Sequence, residues 1–172
     1  MTEHGPKPER RPGLSPALAV VFATVGFFAL LVAGFGLLSL LLDAEVIAAP
    51  GLGQLPGVLA TAFAVAAFAA LTWVVVRRPH PPYPLALAVV APVFLAHAVG
   101  ILTGAMLAGA DLAPAVGAVG GFATSWFAVL LASAAFASAW AAIALVRTRA
   151  RRPRWHWEQD EDDGDGRIPP KS

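Results

Sequence analysis

Cysteine is absent from the chain. That excludes disulfide bonds, thiolate zinc sites and thiol redox chemistry. It also excludes the quinone-linked disulfide oxidoreductases, which are small four-helix membrane enzymes. Charge is scarce: 13% of the residues are charged and 58% are hydrophobic, whereas a soluble domain carries about 25% charged residues. The mean hydropathy of +0.69 points the same way. Motifs with a known mechanism are missing as well. The chain has no GxxxxGK[ST], HExxH or GxSxG, and no apolar stretch holds a pair of carboxylates. An active site would have to be assembled from one intramembrane histidine and scattered hydroxyls. The expectation is a protein that is not an enzyme, with no catalytic residues, no cofactor and no metal ligands.

What the chain does have is four long stretches without Asp, Glu, Lys or Arg, at residues 13–42, 46–76, 81–110 and 112–146. About 20 apolar residues are needed to cross roughly 30 Å of hydrocarbon, so each stretch is long enough for one crossing and too short for two. The pattern predicts an all-α integral membrane four-helix bundle over residues 15–148, with spans near 16–41, 56–76, 84–108 and 121–146. A short tail, residues 1–14, precedes it. The first apolar run is about twice the 7–15 residues of a signal-peptide core and reads as a retained helix. Pro16 and Pro56 suit helix first turns, and the PPYP run at 81–84 keeps the second and third spans apart.

The basic residues predict orientation. Lys7, Arg10 and Arg11 precede the first span, Arg77 and Arg78 separate the second from the third, and all the remaining Lys and Arg follow the fourth. The other two loops carry only Asp43, Glu45 and Asp111. Cytoplasmic loops are enriched in Lys and Arg, so both termini are expected in the cytoplasm and the protein in a bacterial plasma membrane. Trp73, Tyr83, Trp126 and Trp140 fall toward span ends, as an interfacial aromatic belt requires.

Helices in lipid associate through close contact of small residues. The third span carries such a stripe at Ala96, Gly100, Gly104 and Ala108. The first span has Ala19, Ala23, Gly26, Ala33 and Gly36, and the fourth has Ser125, Ala128, Ala132, Ala135, Ala139 and Ala142. On this reading Phe22, Phe27, Leu31 and Phe35 of the first span face lipid. The phrases LATA at 59–62 and FATS at 122–125 suggest two parallel halves, but an alanine-rich chain produces such matches by chance.

His97 interrupts the apolar run VFLAHAVGILTG at 93–104. It lies roughly 20 Å along the helix from Pro84, near mid-membrane. Gly100 and Gly104 share its face, so the ring should point at other helices. Burial favours the neutral imidazole, which needs one donor and one acceptor. Ser133, at matching depth in the fourth span, is the first candidate partner, and a backbone carbonyl freed by Pro92 is the second. A membrane-embedded ionisable group is a functional candidate by default, as a proton relay or substrate contact. The plainer role is an interhelical hydrogen bond, worth about 0.6–2 kcal/mol. No Asp or Glu accompanies His97 to extend a relay.

Residues 149–172 are basic, then acidic. Arg147, Arg149, Arg151, Arg152 and Arg154 fall within eight residues beside the fourth span, and each is worth about 1 kcal/mol of attraction to anionic lipid head groups. The acidic remainder predicts disorder. Glu161, Asp163, Asp165 and Gly166 match the first half of a calcium loop, but Ser172 stands where its bidentate Glu is needed. The expected partners are therefore the bilayer, its anionic head groups, and a membrane-protein partner or a second copy of the chain, but not nucleic acid.

The RPRWHWE phrase at 152–158, the acidic tail and the Ala, Gly and Arg content resemble small uncharacterised four-span membrane proteins of actinobacteria. Those proteins have no assigned function, so the resemblance implies a membrane location and no activity. The span count is also similar to that of small multidrug exporters, but their membrane-embedded Glu has no counterpart in residues 13–42.

Overall fold

A computed structural model of the chain describes residues 15–46, 53–78 and 80–148. They form five α-helices: α1 (Pro16–Leu42), α2 (Leu55–Val76), α3 (Leu85–Leu107), α4 (Leu112–Ala123) and α5 (Trp126–Thr148). There is no strand among the described residues. Four helices, α1, α2, α3 and α5, are long and apolar enough to cross a membrane.

Local chemistry sets the helix ends. The Ser15 hydroxyl accepts from the Leu18 N–H at 3.3 Å, and Pro16 opens α1 with its φ already helical. Asp43 closes α1 in the left-handed region at φ 48°. There the Ala44 N–H donates to the Ser39 carbonyl and the Ser39 hydroxyl donates to the Ala44 carbonyl at 2.6 Å. Gly109, at φ 85°, ends α3.

The fourth apolar stretch is not one helix. The expected span from residue 121 starts instead at Trp126, because the chain breaks at Thr124–Ser125. The Thr124 hydroxyl donates to the Gly120 carbonyl at 3.1 Å, and the Ser125 hydroxyl donates to the Phe122 carbonyl at 2.7 Å. The same two carbonyls also accept the Thr124 and Ser125 backbone N–H groups, so the end of α4 is closed by both main-chain and hydroxyl donors. Without such partners a backbone break inside an apolar environment costs several kcal/mol per group.

The α2–α3 pair is the most extensively packed, followed by α1–α5. In α3, Gly100 lies against Ala60 and Gly104 against Pro56. A methyl group on Gly100 would sit 2.7 Å from the Ala60 nitrogen and 2.7 Å from the Leu59 carbonyl oxygen; on Gly104, 2.5 Å from the Pro56 Cα. The two backbones therefore touch, and only glycine fits. The register is antiparallel, and one further turn sets Ala64 level with Ala96.

The first span differs from the sequence expectation. Its core face is Ala19, Ala23, Phe27, Leu31 and Phe35, spaced by four, with Phe27 and Leu31 fully buried. Phe22 does face outward, as do Ala33 and Gly36. The reason is volume: small residues line only the first two turns of that face, and beyond them large side chains fill the space, Phe27 toward α2 and Phe35 toward α3, α4 and α5. Phe27 stacks on Phe68 of α2 with centroids 4.4 Å apart. In α5, Ala128, Ala135, Ala139 and Ala142 are buried as the small-residue stripe requires. Large apolar side chains cover the outside all round, among them Phe22, Leu40, Leu87, Leu95 and Val129. Such a surface suits hydrocarbon and not water.

Gly100→Leu and Gly104→Leu should each lower the unfolding midpoint in detergent, at a cost of at least about 1–3 kcal/mol from overpacking. Gly26→Ala and Gly36→Ala meet nothing within 4 Å and should leave it unchanged or slightly raised. Thermal unfolding followed by circular dichroism reads both.

Candidate functional site

His97 is 1% exposed and sits at the meeting point of α1, α3 and α4. Its ring stacks on Phe122 of α4, with centroids 4.4 Å apart and planes inclined at 32°. Phe35 of α1 approaches edge-on at 6.2 Å and in turn touches Phe127 of α5 at 5.7 Å. Phe94 of α3 packs on Phe122 at 6.1 Å. The histidine therefore belongs to an aromatic cluster in which edge-to-face and offset contacts are favourable. Because Phe122 is in the last turns of α4, that short helix brings its end to the depth of His97.

Neither ring nitrogen of His97 has a hydrogen-bond partner. The Ala60 backbone lies beside the ring without reaching hydrogen-bonding geometry. Ser133, the partner expected from depth alone, is exposed on the outer face of α5. Matching depth did not guarantee matching face, since α5 turns Leu131, Ala134 and Ala135 inward. The carbonyl expected to be released by Pro92 does not reach the ring either; α3 runs on through Pro92 as helix.

A cavity of about 730 Å³ opens beside His97, between α1 and α2. Phe28, Phe35, Val58, Ala62 and Val65 give it apolar walls, while Gln54, Thr61 and His97 are its polar side chains. Among the described residues, no Asp, Glu, Lys or Arg lines it. No residue pattern announces it, because a cavity depends on how far apart two helices stand.

The expected packing residues divide. Gly100 and Gly104 are buried at the α2–α3 contact, Ala96 is half-buried and Ala108 is exposed at the helix end. Among the described residues, Arg77, Arg78 and Arg147 gather at one end of the bundle, whereas Asp43, Glu45 and Asp111 lie at the other. Arg147 ties α5 to the α2–α3 connection: its guanidinium donates to the Pro81 carbonyl at 3.5 Å and lies 4.6 Å over the Tyr83 ring. Tyr83 also meets Trp140 at 5.8 Å. Arg77 similarly covers Trp73 at 5.0 Å. Exposed cation–π contacts of this kind are worth about 0.5–1 kcal/mol. Arg149, Arg151, Arg152 and Arg154, the acidic segment and the N-terminal tail lie outside the described residues. No cluster of three metal-ligating side chains occurs among the described residues.

These features define an all-helical bundle with four helices of membrane-crossing length and an apolar cavity ending at one histidine. The chain belongs to a protein family of unknown function, DUF6121, which matches residues 14–165. No curated protein and no solved structure matches it.

His97→Phe keeps a flat aromatic ring against Phe122 and removes two unpartnered nitrogens, whose burial costs about 1–3 kcal/mol each. Its unfolding midpoint, measured without added ligand, should equal or exceed that of the parent chain. His97→Ala opens a void and should be destabilised by about 2–4 kcal/mol. A marked fall for His97→Phe would mean that the nitrogens hold the bundle together.

Proposed function

We propose that the chain is a multi-pass protein of the bacterial plasma membrane, with both termini cytoplasmic, that serves as a non-enzymatic accessory or structural component of a larger membrane complex. The observation that carries this reading is the segregation of charge across four apolar helices, with arginine at one end and carboxylates at the other. A bundle with so few internal polar groups is suited to packing beside other membrane helices, through small residues and aromatic faces, rather than to chemistry. The arginines that follow α5 would meet anionic head groups at the cytoplasmic surface. A membrane scaffold acting through residues 149–172 is a separate reading, supported by the arginines that follow the fourth apolar stretch.

A proton-linked carrier using His97 is the second reading. The cavity that reaches His97 favours it. Against it, the described cavity walls hold no second titratable group, and proton pathways through membranes are built from chains of them.

The chain has no cysteine of its own, so single cysteines report without background. Ala44→Cys and Ala110→Cys should react with a membrane-impermeant maleimide in intact cells, and His80→Cys only after permeabilisation. The reverse pattern would overturn the orientation. Purification in mild detergent should retain a stoichiometric membrane partner; recovery as a lone chain would contradict the accessory role. Loss of that partner on deletion of residues 150–172 would assign the contact to the tail. Uptake into proteoliposomes abolished by His97→Ala would favour the carrier.

A further inference from the structure

The cavity between α1 and α2 has the features of a ligand site. Its volume of about 730 Å³ lies within the roughly 300–1,000 Å³ of small-molecule sites, which are largely apolar with a few placed polar groups. It is elongated. The wall from Gln54 to Val65 runs about 16 Å along α2, and Phe28 and Phe35 border it two turns apart on α1. Phe28 and Val58 are also exposed on the outside of the bundle, so the cavity reaches the lipid-facing surface.

Its polar groups restrict the occupant. Thr61 and His97 come from facing helices at similar depth, judged from the Gly100–Ala60 register. His97 borders the cavity but is almost wholly buried: both its nitrogens lack a partner and lie just behind the wall, so the ring must turn slightly to present one of them. A neutral imidazole presents one donor and one acceptor, and hydrocarbon offers nothing to pair with them. A charged ligand would find no countercharge in the walls. A purely apolar one would leave the nitrogens unpaired. Phe28 and Phe35 border the same space with aromatic rings, which suit a flat ring by stacking or edge contact.

We propose that this cavity binds an uncharged lipophilic molecule of the quinone or phenol type: a flat ring whose oxygen hydrogen-bonds His97, and an apolar tail that leaves between α1 and α2 toward lipid. The proposal concerns binding alone and stands apart from the accessory role, which is read by partner retention and not by titration.

The test is titration of the detergent-purified full-length protein with a decyl-substituted benzoquinone by calorimetry, against empty micelles. Histidine-selective 15N NMR is followed in parallel. The expected result is saturable binding of one molecule per chain, with a shift of the one ring signal that is missing from His97→Phe. His97→Phe should weaken binding at least about tenfold, the order expected for a lost hydrogen bond. Ala62→Trp fills the cavity from α2 without altering His97 and should weaken it as much. Heat no different from empty micelles, equal affinity in both variants, or an unmoved His97 signal overturns the proposal. If His97→Phe does not fold, Ala62→Trp and the NMR signal decide. Dodecanol that binds as tightly, with the same loss in both variants, overturns the requirement for a ring.

Discussion

The fold depends on backbone-to-backbone contact between α2 and α3. In hydrocarbon the apolar side chains gain nothing by leaving their surroundings, so association has to come from close packing. Gly100 and Gly104 let Ala60 and Pro56 approach until no side chain fits between. The tolerance of two glycines within one helix, each costing about 1 kcal/mol against alanine in water, follows from this contact. With α2 and α3 fixed, α5 packs on α1 and α3 with its alanine stripe buried, and Arg147 ties its end to the α2–α3 connection.

His97 is a consequence of that arrangement. It shares the face of α3 that carries Gly100, so the ring is directed inward, where Phe122 and Phe35 surround it. Beside it, Phe28 and Phe35 of α1 and the Val58–Val65 stretch of α2 border the cavity. A buried polar group without a partner is uncommon in native structures. Its position at the wall of an apolar cavity gives it a physical rationale that a purely structural histidine would not have.

Much of the architecture was legible in the sequence because lipid imposes simple rules. The absence of charge over residues 13–42, 46–76 and 81–110 marked three helices directly, and prolines marked where they open. The Gly100–Gly104 pair was legible by type: glycine lowers helix stability, so two of them four residues apart in one helix ask for a close contact. The break at Thr124–Ser125 was not, since apolar composition continues across it and the hydroxyls that permit it look like ordinary helix residues. Nor was the burial of Phe27, Leu31 and Phe35. Hydrophobicity distinguishes core from surface in water, but in lipid both faces are apolar. The same ambiguity made Ser133 a plausible partner by depth although its face points outward.

The most direct test of the close α2–α3 contact is solid-state NMR of the protein in lipid bilayers, with 13C at the glycine and alanine Cα positions. A strong through-space cross-peak between Gly100 and Ala60 at short mixing time is the predicted result. Its absence, in a sample whose helices are otherwise intact, would contradict the account.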